Sequence, residues 1–414
     1  MILKTLKIKS YRSCISTKLD IQEGLTSLIG INGTGKSNIL NAVLLLKKIS
    51  NISRHSYHRE KELLVNRSSL ELEIEYKSKP VFIKTKIYYS TDEENNDELV
   101  NCETIWDFSQ LLDIKTPISI PPEMFRFLHL FADGNVKIMP ENMLHLGGLK
   151  ISPEQVKHIN LIYPHVDTIL RGLSKISYYG ASQFSDPSQC PNFIEIEDEK
   201  IVRRYRLNGN HEKFVTDLYR SFKEKNNKFE LYFNTVGKLG LALIDEIKFK
   251  EVSIPANSYK VMSGGQVKTY SRNRTLVVPS FIIENNTLSP SQLSEGTFRT
   301  LALVYYLLTD DNDLLLIEEP EMGVHHGLLN SIISLIKSQS KNKQILISTH
   351  SDFVLDQLKP ENIILIDKAP NKGTTAKALT KSMTKSEYRG LKIYLKESGN
   401  LGDYWKESGF QYEK

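Results

Sequence analysis

Eight consecutive residues, Gly30-Ile31-Asn32-Gly33-Thr34-Gly35-Lys36-Ser37, fit the spacing G-x-x-x-x-G-K-[ST]. That spacing suits triphosphate chemistry. Glycines let the backbone curl around phosphate oxygens without Cβ clashes. Lys36 would reach the β- and γ-phosphates, and the Ser37 hydroxyl would ligate Mg²⁺. A second group, Glu318 and Glu319 in Asp313-Leu-Leu-Leu-Ile-Glu-Glu-Pro-Glu321, adds two adjacent carboxylates. Glu318 would hold Mg²⁺ through water and Glu319 would polarise an attacking water. The bland alternatives are a chance glycine-rich turn and surface acids capping an ordinary buried strand.

The flanking elements decide between these readings. Leu25–Ile29 reads as a short buried strand and Asn38–Leu46 as a helix. A strand must deliver the loop, and the helix must aim its free N–H groups and positive dipole end at the phosphates. The four apolar residues before Glu318 predict a buried strand with both carboxylates at its C-terminal end. In open α/β sheets that end faces the ligand.

A third segment, Leu293-Ser-Glu-Gly-Thr-Phe-Arg299, precedes an apolar helix, Leu301–Leu308, and starts 25 residues before Glu318 (318 − 293). A fourth, Ile347-Ser-Thr-His-Ser351, places His350 at a strand end. This order resembles an ATP-binding-cassette (ABC) ATPase. It is closer to the SMC, RecF and overcoming-lysogenization-defect (OLD) branch than to transporter cassettes, and is similar to the small AAA15/AAA21-type ATPases. Ser10-Tyr-Arg-Ser13, the string Leu293–Arg299 and Glu318-Glu319-Pro320-Glu321 with His325 carry the likeness. It covers about 1–90 and 250–370 and is weak between them.

The resemblance implies an α/β P-loop NTPase of ABC type, with an N-terminal antiparallel β-subdomain, a parallel-sheet core and a mainly helical insertion. It implies ATP and Mg²⁺ as cofactors, and a homodimer, or a higher assembly, with ATP sandwiched between protomers. Asn32, Gly33, Thr34, Gly35, Lys36, Ser37 and Asn38 would bind ATP from one side. Ser294, Glu295 and Gly296 would meet the γ-phosphate held by the other protomer. Glu319 and His350 would be catalytic, His350 as a switch at the γ-phosphate. Ser37, Glu318 and Gln183 would serve the metal, with Gln183 as a Q-loop residue or else an ordinary surface-turn glutamine. Arg12 would touch phosphate or lie solvated. Glu318 departs from the usual Asp, but its longer arm still reaches a water-mediated Mg²⁺.

Met262-Ser-Gly-Gly-Gln266 looks more like the transporter signature than Leu293–Arg299 does. It is rejected here because Val267–Arg274 is polar and basic, and its glycines suit a hairpin turn. His325-His326 lacks spaced partners for a metal and fits a D-loop position.

The chain has 414 residues and a net charge of +5. No run of 18 or more apolar residues is present, so no membrane span or membrane partner is expected. Cys14, Cys102 and Cys190 are odd in number and far apart, which suits a reducing cytoplasm and no disulfide frame. Between Lys200 and Lys228 nine basic residues face three acids, and between Lys368 and Lys396 eight face one. Either run could be a solvated helix face or track a phosphate backbone.

The expected organisation is 1–105 for the first half of the ATPase core, 106–248 for the insertion and 249–414 for the second half. Strands are expected near Leu3–Lys9, Ile15–Ile21, Leu70–Tyr76, Val81–Tyr89, Ile176–Tyr179, Phe249–Ile254, Ser258–Met262 and Thr275–Ile283. Helices are expected around Phe125–Phe131, Val156–Ile162, Glu212–Lys225 and Lys228–Ala242, with an acidic loop at Thr91–Glu98. Only 64 residues follow His350 (414 − 350), without the acidic cluster of the TOPRIM nuclease carried by the OLD branch. A stand-alone ATPase switch is therefore expected, working with a separate effector such as a nuclease or toxin in anti-phage defence. The alternatives are a RecF- or SMC-like DNA-binding ATPase and a transporter subunit.

Overall fold

Four short apolar runs pair in parallel as the second to fifth strands of a twelve-stranded sheet: Leu314–Glu318, Gln344–Thr349, Leu25–Ile29 and Ile363–Ala369, in that spatial order. Their burial is almost continuous rather than alternating, the mark of parallel strands covered on both faces. The register aligns Glu318 with Ser348, Ser348 with Leu28, and Leu365 with Ile29. The carboxyl ends of all four strands therefore lie along one edge. The computed structural model describes residues 1–52, 67–91, 98–112, 117–120, 144–146, 149–151, 153–197, 209–225, 227–261, 267–397 and 399–408.

Beyond Ile363–Ala369 the sheet turns antiparallel. Gly373–Ala378 pairs with it and meets Cys14–Asp20 at Gly373↔Cys14. Ile2–Tyr11, Ser69–Tyr76, Lys79–Thr91, Glu98–Asp107 and Ile118–Ile120 follow. Ser69–Tyr76 alternates half-buried and buried residues along its whole length, as a strand with one solvated face should. The helices Lys36–Ile52 and Pro153–Ser174 contribute Ile39, Val43, Val166 and Ile169 to one core with Leu6, Ile8, Ile74 and Trp106.

The chain forms two compact units: Met1–Tyr178 with Asp311–Glu319 and Ile336–Lys414, and Tyr179–Asp310 with Pro320–Leu335. The expected boundaries at 105/106 and 248/249 do not coincide with these. Trp106, Phe108 and the helix Pro153–Ser174 pack into the first unit's core, so that part of the expected insertion belongs with the ATPase sheet. The second unit holds the helices Asn210–Lys223, Asn227–Val236 and Glu295–Thr309, around Phe184, Phe214, Phe298 and Tyr305. Phe214 and Phe298 meet edge to face at 5.5 Å.

The second unit also holds a long hairpin, Glu246–Val261 paired with Val267–Ile283. Three shorter strands were expected there. Pro255-Ala-Asn257 does not break the first strand, because that strand is a sheet edge, where a missing proline N–H is tolerated. The register pairs Val261 with Val267, the residues on either side of Met262–Gln266. Those five residues lie outside the described ones, as do the expected Phe125–Phe131 helix, residues 92–97 of the acidic loop and residues 200–208 of the first basic run. Among the described residues no helix is long and apolar enough to cross a membrane.

Candidate nucleotide-binding site

The loop Gly30–Ser37 leaves the fully buried strand Leu25–Ile29 and enters the helix Lys36–Ile52. The strand lies between Gln344–Thr349 and Ile363–Ala369, so the loop leaves from the row of carboxyl strand ends outside which such sheets bind ligands. Lys36 is 6% exposed, and its Nζ donates to the carbonyl oxygens of Gly30 (2.7 Å) and Ile31 (3.1 Å). Its ammonium is thus held within the curve of the loop. Asn32, Gly33 and Ser37 are exposed on the loop's outer side.

A chain of hydroxyl contacts fixes this curve from behind. Thr374 Oγ1 donates to the Thr34 carbonyl at 2.8 Å and lies 2.7 Å from Ser13 Oγ. Asn38 Nδ2 donates to the same Ser13 Oγ at 2.7 Å, and Thr34 Oγ1 donates to the Ile31 carbonyl at 2.9 Å. Gly35 has φ +106°, and a Cβ there would lie 2.1 Å from Thr374 Oγ1 and 2.7 Å from Ser13 Oγ. Glycine is required by conformation and by space alike. Asn38, expected at the nucleotide, is here a brace. Arg12 is exposed at the tip of the first hairpin with φ +50°, its guanidinium 5.6 Å from the Tyr11 ring centre, one residue from the Ser13 brace.

Both carboxylates fall where the sequence places them. Glu318 ends its strand half-buried and accepts a hydrogen bond from the Tyr178 hydroxyl. Burial, and then the carboxylate itself, keeps the Tyr178 phenol protonated well above its ordinary range. Glu319 has φ +49°, a left-handed conformation that a non-glycine residue adopts at a cost of about 1–2 kcal/mol. Its N–H donates to the Ser348 carbonyl at 2.9 Å, which turns the chain at the strand end. Its Oε1 then lies 3.3 Å from His350 Nδ1. Glu319 and His350, from neighbouring parallel strands, form one pair beside the loop-bearing strand.

No ion is needed to explain this arrangement, but the donor set suits one. The Ser37 hydroxyl and the Glu318 carboxylate are hard oxygen donors. Among the described residues no cluster of three or more His, Cys, Asp or Glu side chains could cage a metal alone. Such a sparse oxygen set fits Mg²⁺, which keeps waters and takes substrate phosphates as ligands.

In the second unit Leu293 is buried and Ser294 is an exposed N-cap. Its Oγ accepts from Thr297 N at 3.2 Å. A Cβ on Gly296 would lie 2.3 Å from the Gly323 carbonyl oxygen, so glycine admits the loop that follows Glu321. Glu295 pairs with Arg299, whose carbonyl accepts from Tyr179 Oη at 2.8 Å. The expected Q-loop residue Gln183 folds back on its own turn, its Oε1 accepting from Gly180 N at 3.2 Å. A metal role would require it to leave that cap. His325 Nδ1 accepts from Gly327 N at 3.3 Å, a local turn contact.

Ser13, Thr374 and Tyr178 escape motif reading as parts of the site. Thr374 is 340 residues from Thr34, and only the pairing of Gly373 with Cys14 brings it there.

This fold and site define a P-loop ATPase of the ABC type, with a mixed sheet and a parallel core. The chain belongs to the AAA_21 family, described as "AAA domain, putative AbiEii toxin, Type IV TA system", whose model matches residues 25–356. It is similar to the DNA replication and repair protein RecF of Desulfitobacterium hafniense, 32% identical over 95 residues, covering 20% of this chain and 26% of that protein. It is also similar to the Old nuclease of Escherichia phage P2, 23% identical over 428 residues, covering 97% of this chain and 65% of that protein. The SMC head domain from Thermotoga maritima aligns over 91% of this chain and 99% of that one, at 13% identity and a TM-score of 0.39.

Proposed function

We propose that this chain binds and hydrolyses Mg-ATP and acts as a nucleotide switch that closes into a dimer around ATP. The observation that carries the reading is the row of strand ends: the braced loop with Lys36, and the Glu319–His350 pair at 3.3 Å on the neighbouring strands. In this reading Lys36 and the N-terminal amides of its helix bind the phosphates. Ser37 and Glu318 would hold Mg²⁺, which would neutralise charge on the transferred phosphoryl group. Tyr178 orients Glu318. Glu319 takes a proton from the attacking water as its oxygen bonds to the γ-phosphorus and the bond to the β-phosphate oxygen breaks. His350 holds Glu319 in place and senses the γ-phosphate.

The exposed Ser294 cap supports the second half of the reading. Its helix N-terminus would meet a triphosphate held by another copy, so loss of the γ-phosphate would loosen the pair. The family description, with its toxin, and the similarity to a phage nuclease favour a role in anti-phage defence beside a separate effector protein. The similarity to RecF favours a second reading, a DNA-binding ATPase of repair or chromosome maintenance. Co-purification with a nuclease or toxin encoded next door separates the first from the second.

The test is Glu319→Gln. ATP should still bind, by fluorescence of a labelled analogue, while steady-state phosphate release falls by roughly 10²–10⁴, the range for losing a general base. Sedimentation of this variant with ATP should show a dimer. Phosphate release at the unaltered rate removes Glu319 from the mechanism.

A further inference from the structure

His350 sits at a joint. Ahead of it runs the buried strand Gln344–Thr349, and behind it a helix of five residues, Asp352–Asp356. Ser351 connects the two. Its N–H donates to Thr349 Oγ1 at 3.0 Å, and its Oγ caps the helix by accepting from Val354 N at 3.4 Å. The strand is fixed by parallel neighbours on both sides. The helix is little more than one turn, and so short a helix does not hold itself. Whatever fixes it also fixes the direction in which the chain leaves His350.

The helix Leu401–Ser408, near the end of the chain, supplies that hold by packing against it. Leu401 is buried, the Gly402 N–H donates to Asp356 Oδ1 at 2.7 Å, and Lys406 pairs with Asp352. One helix thus grips the first and the last residue of the other. The approach is close: a Cβ on Gly402 would lie 2.7 Å from both the Asp352 carbonyl oxygen and Asp356 Oδ1. The gripping helix has its own cap, Asn400, whose Oδ1 accepts from Asp403 N at 2.7 Å. Three carboxylates act on the Lys406 ammonium. The hydrogen bond to Asp352 comes first, then the charges of Asp352, Asp403 and Asp356, and together they hold its pKa above the ordinary lysine value.

We infer, on the Mg-ATP reading above, that Lys406 and Gly402 are positioning residues for His350: the C-terminal helix clamps the turn after the histidine and so keeps its ring against Glu319. Neither residue belongs to the row of strand ends that would meet the nucleotide. The Lys406–Asp352 pair is open to water, with 61% and 38% of the two side chains exposed, so breaking it should disturb the fold little. A change in turnover without a change in melting is the signature of positioning.

The experiment follows steady-state phosphate release by the full chain. Lys406→Glu adds a carboxylate to the three already there. It should lower kcat by about 10- to 100-fold, the scale on which small misplacements of a reacting group act. ATP affinity, measured in the Glu319→Gln background, and the melting temperature should stay at their parent values. Lys406→Arg should turn over like the parent, and Asp352→Lys with Lys406→Glu, which reverses the pair, should recover most of the loss. In a His350→Ala background the residual turnover should not fall further when Lys406→Glu is added, because residues that act through one another are not additive. Gly402→Ala moves the clamp by a second route and should lower kcat with the same dependence on His350. Both variants should speed hydrogen exchange of the 353–355 amides. If they turn over like the parent while His350→Ala does not, or if Lys406→Glu costs the same factor again without the histidine, the clamp is overturned and the ATPase reading stands. If His350→Ala itself turns over like the parent, the histidine's assigned role fails and the clamp's function fails with it.

Discussion

The helices that start at Lys36 and at Glu295 have their starts secured in different ways. The first is held from outside. Thr374, Ser13 and Asn38 reach its loop from a C-terminal strand, the first hairpin and the helix itself, through contacts of 2.7–2.8 Å. The second is held mostly by its own neighbours: Ser294 caps Thr297, Glu295 pairs with Arg299, and Gly296 packs against the Gly323 carbonyl. A loop that must surround phosphate has few internal contacts to fix its shape, so distant strands supply them. A helix that presents only its tip can be fixed by a local cap and one close approach.

The two key glycines should separate these designs most strongly. Gly35→Ala would force a Cβ into the Thr374–Ser13 contact at φ +106°. The strain, about 1–3 kcal/mol, adds to the loss of the brace. ATP affinity should fall about 100-fold by calorimetry, with a smaller change in the melting temperature. Gly296→Ala meets a backbone carbonyl at 2.3 Å. It should lower stability by about 1–3 kcal/mol, an overpacking effect, while leaving ATP binding by the isolated protomer near its parent value. If both variants lose ATP binding equally, the two starts are not independent.

This contrast also explains what could be read from the chain alone. The loop, the paired carboxylates and His350 were legible because their chemistry sits in short strings between buried strands. The Leu293–Arg299 segment was chosen by order alone, since Met262–Gln266 is the better match in letters and lies between paired strands. The C-terminal member of the brace was not legible. Thr374 lies in a basic stretch with no motif of its own, and its role comes from a strand pairing that closes a loop of over three hundred residues. The expected division of the chain differs from the two compact units of the structure for the same reason. Trp106 marks a composition change in sequence, yet it is 1% exposed in the first unit's core.

Thr374→Val tests the outside brace with less disturbance. The residue is fully buried, and valine keeps its shape. The change removes the donor to the Thr34 carbonyl and leaves Ser13 Oγ with one contact fewer. A buried hydrogen bond lost on one side costs about 1–3 kcal/mol. ATP affinity should fall about tenfold, and the loop amides should exchange faster in hydrogen-exchange mass spectrometry. Tyr178→Phe is the matching change at Glu318. It should raise the Mg²⁺ concentration needed for half-maximal hydrolysis several-fold without moving the melting temperature by more than a degree or two, about 0.5 kcal/mol. An unchanged Mg²⁺ requirement would mean that the hydroxyl does not orient the carboxylate.

The smallest stability effect is expected at Ser294, where the local design is cheapest to alter and easiest to separate from function. Ser294→Ala should cost about 1 kcal/mol by loss of the cap, and Ser294→Gly a few tenths. Ser294→Asp should cost nothing or stabilise slightly, because aspartate caps as well as serine and its charge suits the helix N-terminus. The proposed role in trans predicts the opposite ranking for assembly. An aspartate at that tip would repel a triphosphate held by another copy, so Ser294→Asp in the Glu319→Gln background should abolish the ATP-dependent dimer in sedimentation, whereas Ser294→Gly should only weaken it. If Ser294→Asp dimerises as well as its parent, the exposed cap is a helix start and nothing more.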